Sequence, residues 1–181
     1  MSQRRICNAI YAGTFDPWTH GHTDIVEQAL DLFDRVYVLF AINPTKQRKY
    51  NMHEMMAAAK NMFLHHDYED RIIFIESKQF TVDAAHNFSL VHDDRIDYLV
   101  RGIRNVNDFM QEEILAEANR KLWSSMETVY IRSRFPVISS TMANEVFTHR
   151  DHSFMANYVT HEVLEVMIKW SSMSNSSSSR S

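Results

Sequence analysis

Side chains able to hold phosphate recur in this chain at short offsets from apolar runs. The first group is Gly13-Thr14-Phe15-Asp16-Pro17 followed by Thr19-His20-Gly21-His22. It follows the apolar run Ile6 to Ile10 and precedes an amphipathic helix pattern. A helix N-terminus carries unpaired N–H groups and partial positive charge, so a phosphate chain sits well there. Thr14 offers a hydroxyl to a phosphate oxygen, and His22 can hydrogen-bond an α-phosphate as charge moves during transfer. The second group is Arg101-Gly102-Ile103-Arg104. Guanidinium groups bind phosphate through paired hydrogen bonds and keep their charge. The three glycines of the chain, Gly13, Gly21 and Gly102, all fall in these groups. That concentration implies backbone positions where a side chain would obstruct a ligand.

Two further groups are weaker. Lys46 in Asn43-Pro44-Thr45-Lys46 follows an expected strand end, while Arg48 and Lys49 read as an exposed basic loop. Ser139, Ser140 and Thr141 open a helix, so their hydroxyls and N–H groups can cradle phosphates; ordinary capping explains one of them without a ligand. Met52, Met55, Met56 and Met62 lie near helical spacing and read as core. His65, His66, His86 and His92 lack zinc spacing, and no metal-binding residue is expected.

Strand and helix patterns alternate, and this order must position those groups. Strands are expected at Ile6–Tyr11, Arg35–Ile42, Ile72–Ile75, Tyr98–Val100 and Thr128–Ile131. Helices are expected at Gly21–Phe33, from an Asn51 cap to about Leu64, at Val82–Val91, Val106–Trp123, from a Ser139 or Ser140 cap to Thr148, and at Asn157–Trp170. Repeated strand–helix units of this length imply a single-domain α/β fold, a doubly wound parallel sheet with helices on both faces. Ligands in such sheets bind beyond the carboxyl ends of the strands, near the topological switch point. Gly13–His22, Asn43–Lys46 and Arg101–Arg104 all follow expected strand ends.

Composition narrows the partners. The chain has 181 residues, 45% of them hydrophobic and 23% charged, which fits one globular domain over residues 1–170. The Ser-rich stretch 171–181 has no apolar periodicity and is expected to be disordered. The formal net charge of −4 disfavours a broad nucleic-acid surface. No apolar run approaches the roughly 20 residues of a membrane span, and no long signal-peptide core is present. The single Cys7 excludes an intrachain disulfide and suits a reducing, cytoplasmic setting.

Tyr11–His22 fits Y-x-G-T-F-D-P-x-T-x-G-H, Arg101–Phe109 fits R-G-x-R-x-x-x-D-F, and Ile138–Thr141 fits I-S-S-[ST]. On these motifs the chain resembles the pantetheine-phosphate adenylyltransferases of the nucleotidyltransferase superfamily, over about residues 5 to 168. The resemblance implies a Rossmann-like fold, ATP and 4′-phosphopantetheine as substrates, Mg²⁺, and a homohexamer. It implies catalytic roles for Thr14, His22, Lys46 and Arg101. For ATP it implies Thr14, Phe15, His22, Gly102, Ile103, Arg104, Glu112, Phe135, Pro136, Val137, Ile138, Ser139, Ser140 and Thr141. For the acceptor it implies Thr14, Lys46, Thr81 and Arg101.

The chain departs from that pattern at Gln79-Phe80, in a longer stretch from Ala85 to Arg95, and in a shorter loop before Ile138. Arg134 gives R-x-x-x-I-S, which is similar to relatives that use CTP. The expected reaction is attack by the acceptor phosphate on the α-phosphorus of ATP, with no protein nucleophile. Another nucleotide or phosphorylated acceptor is the nearest alternative. A nucleotide-binding regulatory protein without turnover is the non-enzyme alternative.

Overall fold

Five parallel strands lie in the order β3-β2-β1-β4-β5. They are β1 (Asn8–Gly13), β2 (Arg35–Ala41), β3 (Ile72–Ser77), β4 (Tyr98–Ile103) and β5 (Glu127–Arg132). The helices are α1 (His20–Leu32), α2 (Met52–Asn61), α3 (Thr81–His92), α4 (Val106–Leu122), α5 (Ser140–His149) and α6 (His161–Ser178). The computed structural model describes residues 6–42, 47–64, 69–92 and 94–178. From β1 the chain builds outward through β2 to β3, then returns to lay β4 on the other edge of β1. The crevice between β1 and β4 is therefore the switch point, where parallel sheets hold ligands.

Successive residues of a strand point to opposite faces, and both faces here are apolar. Ala9 and Tyr11 of β1, with Val36, Val38 and Phe40 of β2, enter a core shared with Val26, Ala29, Met55, Ala143 and Val163. Ile10 and Ala12, with Tyr37 and Leu39, enter a second core with Val82, Ala85 and Met126. One face is thus covered by α1, α2, α5 and α6, and the other by α3. This is the layered arrangement expected from the alternating patterns. Met52 and Met55 are buried, and Met56 and Met62 pack against the first core.

Most elements fall where the patterns put them, and two differences matter. β4 continues to Ile103, so Arg101 and Gly102 lie within the strand rather than after it. They pair with Tyr130 and Ile131 of β5, which fixes the Arg101 backbone in the sheet. In addition, α6 continues past Trp170 to Ser178, so the start of the Ser-rich stretch is helical. Extending an existing helix adds one hydrogen bond per residue fixed, which offsets the absence of apolar periodicity. Helix α4 buries only Ala116 and leaves Val106, Met110 and Ile114 exposed.

Candidate active site

The turn after β1 is built around an unusual residue. Phe15 has φ 47°, the left-handed region that costs a side-chain-bearing residue of order 1–3 kcal/mol. Its ring is 2% exposed and packs against Tyr11, Trp18, Phe40 and His22. Burial of this ring offsets the strain. A Cβ on Gly13 would lie 2.6 Å from the Phe15 ring, and one on Gly102 would lie 2.9 Å from Cγ1 of Ile25. One on Gly21 would meet the Ile138 carbonyl at 3.2 Å. Protein packing thus disfavours a side chain at each glycine, and all three also line the two cavities described below. Gly102→Ala is expected to lower stability by about 1–3 kcal/mol, since buried Ile25 must move. A urea titration reads this directly.

His22 stands in the first turn of α1. Its Nδ1 accepts the Thr19 backbone N–H at 3.0 Å, with the Thr19 hydroxyl 3.1 Å away. That nitrogen must hold a lone pair, so the neutral ring carries its proton on Nε2. Burial, reinforced by the Arg104 charge, pushes its pKa down to about 3. His22 is therefore a neutral donor at physiological pH. Three amides at this helix end are already engaged by the protein. The N–H groups of Thr19, His20 and His22 are taken by His22 Nδ1, the Tyr158 carbonyl and the Thr19 carbonyl. The imidazole Nε2–H adds a further donor beside this helix end.

The low value has a consequence for stability. Between about pH 6.5 and pH 3 the unfolded chain binds a proton at this position that the folded chain refuses. The contribution is complete above about pH 6.5 and is lost on acidification toward pH 3. His22→Gln should flatten that slope. Its melting temperature should fall less than that of the wild type between about pH 7 and pH 4.

Two cavities meet at this histidine. The first, about 240 Å³, is lined by Gly21 and Ile25 of α1, Arg104, Ser133, and Ile138, Ser139 and Ser140 at the start of α5. The second, about 400 Å³, is lined by Ala12 to Phe15, Ala41, Thr81 and Arg101. Tyr11, His22, Gly102 and Ser140 line both. These volumes are at the small end for ligand sites. Burial pushes the Tyr11 phenol up, so it stays protonated at the shared wall.

Both arginines of the second motif are braced by α4. Glu112 accepts from Nε and Nη2 of Arg101 at 2.6 Å each, and Arg101 Nη1 donates to the Ala12 carbonyl at 3.1 Å. A guanidinium has five N–H groups, so two remain for a ligand. Arg104 donates Nε to Asp108 at 2.8 Å and Nη2 at 3.2 Å. Glu112, implied as an ATP contact, accepts both bonds from Arg101 and lines neither cavity.

The first cavity gathers His22, Gly102, Arg104, Ile138, Ser139 and Ser140, and the second gathers Thr14, Phe15, Thr81 and Arg101. Phe135, Pro136, Val137 and Thr141 are exposed and line neither. Ile103 faces a separate groove with Val106, Phe109 and Arg132. Lys46 lies outside the described residues. The Ser139 side chain accepts from Met142 N–H at 3.1 Å, and the Ser140 hydroxyl donates to the Pro17 carbonyl at 2.8 Å. Both hydroxyls are thus engaged in building the site.

Several functional supports were missed in the sequence. Buried Asp24 accepts from the Ser133 hydroxyl and the Arg134 N–H, tying α1 to the loop after β5. Asp16 accepts the N–H groups of Lys49 and Tyr50, and Tyr50 donates to Asn144. Asn144 in turn donates to the Asp16 carbonyl. Asp16 stood inside a recognised motif, but nothing in the sequence pointed to its partners. Arg48, read with Lys49 as an exposed basic loop, is instead largely enclosed and donates to the Thr14 and Phe15 carbonyls, a pairing with a distant segment that the sequence did not signal.

Among the described residues, no group of three His, Cys, Asp or Glu could hold a metal ion. Asp16, Asp24, Asp108 and Glu112 are engaged with N–H donors of the protein. No helix among the described residues is long and apolar enough to cross a membrane.

Residues 10–146 match the cytidylyltransferase-like family. Similar solved structures include a nicotinic acid mononucleotide adenylyltransferase from Plasmodium falciparum complexed with NaAD. That likeness has a TM-score of 0.68 at 17% identity, covering 92% of this chain and 96% of that one. A putative nicotinate-nucleotide adenylyltransferase from Vibrio parahaemolyticus gives 0.62 at 14% identity, covering 91% and 93%. TmcAL from Thermotoga maritima, bound with alpha-thio ATP, gives 0.60 at 12% identity, covering 91% of this chain and 55% of that one. At these identities the likeness establishes a shared fold.

Proposed function

The chain belongs to the cytidylyltransferase-like family, and from this we propose that it transfers the adenylyl group of ATP to 4′-phosphopantetheine. The products are dephospho-coenzyme A and pyrophosphate. The observation that carries the reading is His22, a neutral Nε2–H donor on the wall shared by the two cavities. The nucleotide phosphates occupy the cavity beside Arg104 and the start of α5. The acceptor occupies the cavity beside Thr14, Thr81 and Arg101. An acceptor phosphate oxygen forms a bond to the α-phosphorus, and the bond from that phosphorus to the α–β bridging oxygen breaks. The electron pair leaves with pyrophosphate.

No protein nucleophile is needed, because the acceptor phosphate is already anionic. Positioning and charge stabilisation supply the catalysis. His22 donates to the α-phosphate, Arg104 attracts the departing charge, and the two remaining N–H groups of Arg101 orient the acceptor with Lys46. Mg²⁺ would enter on the phosphates, keep several waters and neutralise charge there. The engaged carboxylates are consistent with that mode and offer no dedicated cage. The exposed apolar face of α4 suits a subunit interface, and the resemblance implies a homohexamer. A cytoplasmic location remains part of the proposal.

Phe135, the residue implied beside the base, is 42% exposed and outside both cavities. This favours testing a second reading, with CTP or another phosphorylated acceptor such as a mononucleotide. The experiment is a pyrophosphate-release assay with Mg²⁺, crossing ATP and CTP with 4′-phosphopantetheine and nicotinic acid mononucleotide. Release from ATP with 4′-phosphopantetheine alone is expected. Release only in another combination assigns the second reading, and nucleotide binding without release in any combination assigns a regulatory protein.

A further inference from the structure

We propose that Arg48 is a positioning residue for the transfer, holding the strained Thr14–Phe15 turn in the shape the reacting phosphates require. The inference rests on the nucleotidyl-transfer reading above. Arg48 Nη1 donates to the Thr14 carbonyl at 2.6 Å, and Nη2 donates to the Phe15 carbonyl at 3.3 Å. The Asp16 carboxylate lies 3.7 Å from the same guanidinium. Three consecutive residues of the turn are therefore gripped by one planar fork, a match that lysine cannot reproduce.

The fork is itself fixed. The Arg48 side chain is 19% exposed. The next two residues, Lys49 and Tyr50, donate their backbone N–H groups to Asp16 at 2.8 and 3.2 Å. Tyr50 then closes the circuit through Asn144, which donates to the Asp16 carbonyl. The segment carrying Arg48 and the turn it grips thus form one connected unit, anchored on α5.

The effect on chemistry follows from peptide geometry. In a trans peptide the C=O and the next N–H point in opposite directions. With the Thr14 and Phe15 carbonyls drawn toward Arg48, the N–H groups of Phe15 and Asp16 turn away from it. Thr14 and Phe15 themselves line the cavity assigned to the acceptor. The guanidinium charge polarises both peptide units and favours negative charge beyond them. Phe15, whose carbonyl Arg48 holds, also sets its ring edge-on to His22, 5.0 Å between centroids. Arg48 touches neither cavity in this arrangement, so its influence passes through the turn.

The test compares wild type, Arg48→Ala, Arg48→Lys and Lys49→Ala as full-length chains in the pyrophosphate-release assay, with circular dichroism as the folding control. Arg48→Ala is expected to lower kcat by about 10–10²-fold, the effect of small misplacements near reacting atoms. KM for ATP should stay within about twofold, because the Thr14 turn does not line the cavity assigned to the nucleotide phosphates. Added guanidinium chloride at low millimolar concentration should restore part of the rate, and Arg48→Lys should be intermediate. Lys49→Ala should resemble wild type. A folded Arg48→Ala within twofold of wild-type kcat overturns the proposal. So does a loss that neither guanidinium nor Arg48→Lys relieves. If Arg48→Ala does not fold, Arg48→Lys decides by the same kcat criterion. A wild type silent with every nucleotide and acceptor removes the nucleotidyl-transfer reading as well, which separates that failure from a failure of Arg48 alone.

Discussion

His22→Ala is expected to turn over about 10²–10³-fold more slowly than wild type, the usual loss when one preorganised donor to developing charge is removed. The size of the effect follows from how the ring is held. Nδ1 is bonded to the Thr19 N–H, and the ring is flanked by Phe15 and Trp18 at centroid distances of 5.0 and 5.4 Å. No reorganisation is needed to aim Nε2, so its interaction is available in full at the transition state. The loss should fall on kcat, with substrate binding changed little. Because the ring is already neutral at physiological pH, the pH–rate profile of the wild type should show no His22 step near 6.5. His22→Asn, which keeps a short N–H donor, should recover part of the rate. Stopped-flow or steady-state pyrophosphate release at saturating substrate checks this. A folded alanine variant within twofold of wild type would remove His22 from the mechanism.

Arg101→Ala is the second large effect, and it should divide between activity and stability. The acceptor loses a charged donor pair, so kcat/KM for the acceptor should fall by about 10²-fold while KM for ATP moves little. Glu112 loses its bidentate partner at the same time. Its side chain is only 17% exposed, so an unpaired carboxylate there is expected to cost about 1–3 kcal/mol in stability. Arg101→Lys should preserve the charge and still lose most of the rate, since one ammonium cannot satisfy Glu112, the Ala12 carbonyl and a phosphate together. Acceptor titrations beside urea unfolding separate the two losses. An Arg101→Ala enzyme with unchanged acceptor kinetics would show that Arg101 serves the fold alone.

The fold was readable because its signals are local. Apolar runs of strand length alternate with helical periodicity, and chain order then limits the topology. The boundary of β4 was not readable, because Arg101 and Gly102 join the strand through pairing with Tyr130 and Ile131, residues far along the chain. The same division runs through the site. Thr14, His22, Arg101 and Arg104 stand in compact motifs whose residue types already imply phosphate. Arg48 and Asp24 carry no such mark, since their roles consist of hydrogen bonds to distant segments.

The sequence by itself determined the strand–helix alternation, the motif residues and the chemistry those residue types can perform. Only the tertiary structure decided the state in which they act. It turned His22 into a neutral donor by enclosing it and capping its Nδ1, and it committed most of Arg101 to Glu112. It also engaged the Thr19, His20 and His22 amides at the start of α1 with protein acceptors. Residue type sets what a group can donate or accept, but burial and partners set which of those capacities remain free, and both come from contacts between segments that the linear order keeps apart.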